Sequence, residues 1–144
     1  MTGVDLCQEM LEMLQKKHSD KHLTAVCMDY FQYDPGVEKW DAVISFESLH
    51  HFLPERKAEL YGKIAKSLKD GGVFLLADYT ACCEEEEKLL RDVCFERREK
   101  WEIPTERYVH FDIPLTLEHE MGLLKEAGLS IQQVIDEPEE ATLI

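Results

Sequence analysis

The chain has 144 residues, 44% of them hydrophobic, and 30 acidic against 16 basic side chains give a formal net charge of −14. That length and apolar content fit a single domain, residues 1–144, with an ordinary core. The negative field repels polyphosphate, and Arg97, Arg98 and Lys100 are interleaved with Glu96 and Glu99, so nucleic acid is not an expected partner. No stretch approaches the ~20 apolar residues of a membrane span, and the N-terminus lacks a charged-then-apolar leader pattern. Five cysteines, Cys7, Cys27, Cys82, Cys83 and Cys94, are odd in number and follow no disulfide or zinc-ribbon spacing, which points to the reducing cytoplasm.

In chain order, Thr2 to Leu6 reads as a very short apolar strand segment ending in Asp5. Residues 8–18 follow as a helix whose inner face is Met10, Leu11, Leu14 and Lys17. A second strand is expected over 23–28, then a loop over 30–39 marked by Asp34-Pro35-Gly36. Residues 42–46 (Ala-Val-Ile-Ser-Phe) have the continuous apolar, β-branched character of a strand buried on both faces of a parallel sheet. A helix enters at Pro54, with Leu60, Ile64 and Leu68 recurring every fourth residue, and stops at Asp70-Gly71-Gly72. Residues 73–78 form the next strand.

A charged helix is expected from Glu84 to about Trp101, opened by four glutamates that suit the positive end of its dipole, with Leu90, Val93, Cys94 and Trp101 facing inward. Residues 103–115 are irregular. Thr116 looks like the N-cap of a helix ending at Gly128. Two final strands, 129–135 and 141–144, would pair antiparallel across the Glu137-Pro138-Glu139 turn. Strands alternating with helices argue for an α/β fold: a mostly parallel sheet, helices on both faces, and an antiparallel C-terminal pair.

The candidate site follows from that architecture, because ligands of open α/β sheets bind beyond the carboxyl ends of strands. Asp5, Asp29 and Asp78 stand at strand ends. A carboxylate in the Asp5 position can accept both hydrogen bonds of a ribose diol, with Leu6 beside it, or can cap the following helix. Asp29 suits an adenine amino group or a turn, and Asp78 a structural or substrate-side role. Glu47, His50 and His51 follow the central strand as general-base or acceptor-orienting candidates, since imidazole titrates near neutrality. The alternative is one histidine packed on the sheet and the other solvated. Cys82-Cys83 invites a metal reading, but vicinal cysteines chelate one ion poorly, and no metal is expected. Trp101, Tyr108 and Phe111 suit a core or a lid, the core being preferred.

Several stretches together resemble class I S-adenosylmethionine-dependent methyltransferases of the small-molecule, methyltransferase-domain type. Gly3-Val4-Asp5-Leu6-Cys7-Gln8-Glu9-Met10-Leu11 is similar to that family's second-strand segment. Asp41 to Ser45 with Leu49-His50-His51-Phe52 resembles its fourth strand, and Leu68 to Asp78 its helix-to-fifth-strand signature. Leu115 to Glu118 and Leu124 to Leu129 resemble its late helix.

The resemblance implies a Rossmann-like fold and S-adenosylmethionine as cofactor. Asp5 would hold the ribose hydroxyls, and Leu6, Met28, Asp29 and Tyr30 would border the adenine. Ser45 and Phe46 would lie against the methionine end, with Glu47, His50 and His51 facing a small-molecule acceptor as the catalytic set. It also implies that a first strand and glycine-rich loop should precede Gly3, so the domain is expected to be N-terminally incomplete. The open sheet edges this leaves would be closed by homodimer formation. The alternative function is then a catalytically inactive, truncated methyltransferase-like protein serving as a dimeric or interaction module.

Overall fold

A computed structural model of the chain describes residues 1–104, 107–136 and 141–144. They form two compact units, residues 1–36 and 37–144.

In the first unit, strand β1 (Thr2–Asp5) runs parallel to β2 (Thr24–Cys27), with Asp5 opposite Cys27. Helix α1 (Gln8–Lys17) connects them and packs on both strands, because a parallel pair needs a crossover. Only Leu11 is fully buried on α1, and Leu14 is half-buried. A side chain at Gly3 would meet Leu14 Cδ2 at 3.2 Å, so the small residue lets the helix close on the strand. Met10 and Lys17, expected inside, are exposed: two strands make a face too narrow for a wider apolar stripe. The loop after β2 turns as expected, with the Gly36 amide donating to Asp34 Oδ1 at 2.9 Å and Gly36 at φ +81°.

The second unit is built on a three-stranded sheet in the order β3 (Trp40–Phe46), β4 (Leu68–Asp78), β5 (Thr142–Leu143). β3 and β4 are parallel, and β5 is antiparallel to β4. β4 begins at Leu68, five residues before the expected start, and the register shifts where Asp70-Gly71-Gly72 bulges out of the pairing. Gly71 sits at φ +73°, and a Cβ at Gly72 would lie 2.9 Å from Lys69 O and 3.1 Å from Trp40 O. The two glycines therefore shape a bulge within β4 and do not end the helix, which stops at Ser67.

Helix α2 (Pro54–Ser67) joins the parallel strands and buries Lys57, Leu60, Tyr61, Ile64 and Ser67. That face packs on β4, with the Tyr61 and Phe74 rings 5.9 Å apart, and on α4 (Leu117–Glu126). Thr116 caps α4 through the His119 amide at 3.3 Å, and Gly128 follows its end at φ +92°, both as the sequence indicates.

Three expectations need correction. β3 is not buried on both faces: Ala42, Ile44 and Phe46 point outward beside Val73 and Leu75 of β4, leaving Ile44 70% and Phe46 66% exposed. Only Val43 and Ser45 turn toward the packed face, so a continuous apolar run is here a strand covered on one side. Residues 129–135 form no strand beyond one antiparallel bridge, Ile135 to Leu143, because β5 spends its pairing on β4. The Glu137-Pro138-Glu139 turn lies outside the described residues. In α3 (Glu84–Lys100), Cys94 is buried and Leu90 and Val93 half-buried, but Trp101 is 59% exposed, as is Tyr108 at 48%, against the core role preferred for them. Among the described residues, no helix is long and apolar enough to cross a membrane.

Candidate functional site

The carboxyl ends of β1 and β2 bring the first group of predicted residues together. The Met28 amide donates to Asp5 O at 3.0 Å, so Asp5-Leu6 and Met28-Asp29-Tyr30 leave the paired strands side by side. Asp5 Oδ1 accepts from the Cys7 amide at 2.7 Å, fastening the turn into α1. That is the helix-entry role anticipated as the alternative to ribose binding, and a carboxylate, with about four lone-pair sites, can serve both. Asp29 Oδ1 accepts from the Phe31 amide at 2.8 Å and shapes the next turn in the same way. Leu6 and Met28 are exposed apolar side chains, and Tyr30 lies against Phe31 with rings 5.5 Å apart.

The second group leaves β3. Ser45 Oγ and Ser48 Oγ are 3.1 Å apart, and the Glu47 amide still donates to Ala77 O at 2.8 Å. Glu47 then breaks from the strand at φ +44°, a left-handed conformation that costs a non-glycine residue about 1–3 kcal/mol and is typically held at functional turns. Its side chain is exposed, as is Phe46.

Beyond that turn, His50 and His51 are both withdrawn from solvent, their side chains 5% and 7% exposed, so neither is the solvated histidine of the alternative reading. Asp78, itself buried, explains the position of His50. Its Oδ2 accepts from the Leu49 amide at 2.9 Å and its Oδ1 from the Tyr79 amide at 3.0 Å, while Oδ1 also meets His50 Nδ1. A carboxylate holding two amides is an acceptor, so Nδ1 of His50 carries the hydrogen and Nε2 points away from Asp78. Asp78 is thus a positioning residue.

The irregular segment supplies the rest of the site. The Ile113 amide donates to His50 O at 2.8 Å, which sets Asp112 over the two rings. Asp112 Oδ1 is 3.1 Å from His51 Nδ1 and 3.5 Å from His50 Nε2. His110 lies 4.2 Å from His51 between ring centres, and Tyr79 packs edge-on to His50 at 5.0 Å. Burial, then the neighbouring His50 and His110, hold His51 below the usual histidine range, so it is a neutral imidazole near pH 7.

Asp112 and His110 were missed in the sequence because nothing periodic marks an irregular segment. Their signal was compositional: a histidine and an aspartate two apart, beside Tyr108 and Phe111. Cys82 and Cys83 stand exposed with sulfurs 3.7 Å apart, and the Glu86 carboxylate, then Cys83, push the Cys82 thiol up to about 11, which opposes thiolate ligation.

Comparison with known proteins gives this geometry its family. The solved structures resembling the chain include a cyclopropane synthase from Mycobacterium tuberculosis, 20% identical with a TM-score of 0.67, covering 93% of this chain and 48% of that one. A SAM-dependent methyltransferase from Leishmania major is 8% identical with a TM-score of 0.70, covering 99% of this chain and 52% of that one. At such identities the likeness is one of fold, and that fold is the Rossmann-like α/β architecture. An uncharacterized methyltransferase from Anoxybacillus flavithermus is 29% identical over 76 residues, 53% of this chain and 35% of that protein. The chain therefore spans about a third of that relative's length and about half that of the two solved structures. The family model described as "Methyltransferase domain" matches residues 1–72, half of the chain, and on that match the protein belongs to the methyltransferase-domain family.

Proposed function

We propose that this chain carries the S-adenosylmethionine-binding elements of an enzyme that methylates a small-molecule acceptor in the cytoplasm. The observation that carries the proposal is the convergence, in the first unit, of Asp5 and Leu6 with Met28, Asp29 and Tyr30 where two parallel strands end. Asp5 keeps Oδ2 for the ribose hydroxyls, and Leu6, Met28 and Tyr30 offer apolar surface to the adenine, with Asp29 for its amino group.

Methyl transfer from a sulfonium is an in-line displacement, and its rate depends mainly on how the acceptor is held. The cofactor supplies the electrophilic methyl group. His50, held by Asp78 with Nε2 available, is the group suited to take a proton from the acceptor, while His51 and Glu47 orient it. The net charge of −14 favours a small, uncharged or cationic acceptor over nucleic acid.

Calorimetry with S-adenosylhomocysteine tests the reading. Saturable binding that Asp5→Ala weakens at least tenfold is expected. No heat at millimolar ligand would overturn it for this chain.

A second reading is favoured by one observation. The outer face of β3 and β4 presents Ile44, Phe46, Val73 and Leu75 to solvent, and among the described residues the far edge of β3 has no strand partner. We propose that a second copy of the chain covers this face, since an open strand edge is self-complementary about a two-fold axis. Sedimentation at micromolar concentration should then report a dimer that Ile44→Lys with Phe46→Lys dissociates. A monomer in the parent chain sinks the idea.

A further inference from the structure

The contact between Asp112 and the two histidines poses a chemical question. The Nδ1 edge of His50 is committed to Asp78, and Nε2 faces the Asp112 carboxylate 3.5 Å away. His51 Nδ1 is buried, makes no hydrogen bond, and yet lies 3.1 Å from the same oxygen. A buried ring nitrogen without a hydrogen-bond partner, set beside a carboxylate oxygen that also faces a second imidazole, is an arrangement that a shared cation would satisfy.

We propose that His50, His51 and Asp112 bind a divalent first-row transition ion. The spacing fits. Bonds of about 2.0–2.2 Å from a tetrahedral ion to imidazole nitrogen and carboxylate oxygen put neighbouring ligand atoms roughly 3.4 Å apart. The two distances to Asp112 bracket that value, and the ligand atoms of the three residues lie within 4.8 Å of one another.

The donor set of two imidazoles and one carboxylate suits zinc, cobalt or iron(II) better than magnesium or calcium, which prefer all-oxygen shells. Asp78 supplies the outer support that metal-bound histidines ordinarily have, a carboxylate on the other ring nitrogen that sets tautomer and orientation. The two buried rings form the floor, and the Asp112 side chain, 62% exposed, leaves a way in from solvent. Three protein ligands keep a coordination position open, the arrangement of a reactive rather than a purely structural ion.

The site takes up His50 Nε2 and His51, so a bound ion would replace the direct proton-accepting role given to His50 above, and it is tested with metal alone. The 144-residue chain stripped with chelator and titrated with Zn2+ in a calorimeter should show one saturable site. Substitution of the exposed thiols, Cys82→Ser with Cys83→Ser, should leave it in place. Asp112→Ala and His51→Ala should each weaken it at least tenfold, and Asp78→Asn should weaken it about 10–100-fold through orientation alone. Asp112→Ala removes a mostly exposed side chain, so it decides the matter should His51→Ala fail to fold. Co2+ should give visible bands without a thiolate charge-transfer band. No saturable binding, binding retained in Asp112→Ala, or binding lost with the two thiols would each overturn the proposal.

Discussion

Asp78, the last residue of β4, holds His50 from across the sheet, and both side chains are withdrawn from solvent. The same carboxylate takes the amides of Leu49 and Tyr79, so one side chain secures the turn after β3 and the exit from β4 together. Asp78→Ala leaves three donors without their acceptor, two of them buried and the Tyr79 amide partly so, at about 1–3 kcal/mol for each that water cannot reach. We expect a loss of about 3 kcal/mol or more, read as a lower urea midpoint, and a smaller loss in Asp78→Asn, whose amide oxygen still accepts. An Asp78→Ala midpoint close to that of the parent would show that the turn is held by something else.

How much of this was legible follows from which residues obey a period. Pro54, Thr116 and Gly128 announce helix ends through local backbone chemistry, and they stand where the sequence indicates. β3 was found, but its exposure was not, because Ala42 to Phe46 reads as apolar on both faces whether or not anything covers the outer one. Asp5, Met28 and Asp29 could be placed at strand ends from pattern alone. Asp112 could not, because a single amide bond from Ile113 to His50 brings it to the histidines, and no periodicity encodes that. Lys57 and Glu120 were hidden for another reason: charged residues at inward helical positions look like solvated ones until their partner is known.

That pair makes the second prediction. Lys57 on α2 and Glu120 on α4 form an ion pair with both side chains buried, and Tyr61 donates its hydroxyl to the other Glu120 oxygen. Burial, then the Glu120 charge, drives the Tyr61 hydroxyl far above the usual tyrosine range, so it stays protonated and donating. Lys57→Met leaves a buried carboxylate without its cation and should cost about 3–5 kcal/mol. Replacing all three, Lys57→Met with Tyr61→Phe and Glu120→Leu, removes every polar atom of the cluster and should restore most of that stability. Denaturant midpoints at constant m-value measure both. A triple variant no better than Lys57→Met would mean that the cluster stabilises the packing of α2 on α4 in its own right.

Two glycines should respond to alanine with opposite signs. Gly62 lies inside α2 with no atom within 4 Å of where its Cβ would stand, so Gly62→Ala should stabilise by about 0.5–1 kcal/mol through helix propensity. Gly72 sits in the β4 bulge with two backbone oxygens at 2.9 and 3.1 Å from that position, and backbone cannot step aside as a flexible side chain can. Gly72→Ala should therefore destabilise by about 1–3 kcal/mol, the range for overpacking a fixed site. Thermal melts of the two variants side by side would check the bulge directly, and a neutral Gly72→Ala would contradict it.

The thiols offer a prediction in pH. Cys82 is exposed, yet its pKa is pushed up to about 11 by Glu86, which accepts from its amide at 2.7 Å and from its thiol, with Cys83 adding to the effect. The thiolate is the nucleophile, so reactivity follows the ionised fraction. At pH 8 that fraction is about one in a thousand for a pKa near 11, against about a quarter for an ordinary thiol near 8.5. In a Cys83→Ser background, which isolates Cys82 and keeps the larger Glu86 contribution, alkylation by iodoacetamide should lag well behind that of an unperturbed thiol. The rate should climb about tenfold per pH unit toward pH 10, because a raised pKa moves the onset of reactivity upward. Adding Glu86→Gln removes the charge that keeps the proton in place and should speed the reaction at pH 8. Peptide-resolved mass spectrometry separates Cys82 from Cys7 and Cys27, and an unchanged rate in Glu86→Gln would show that the carboxylate does not hold this thiol.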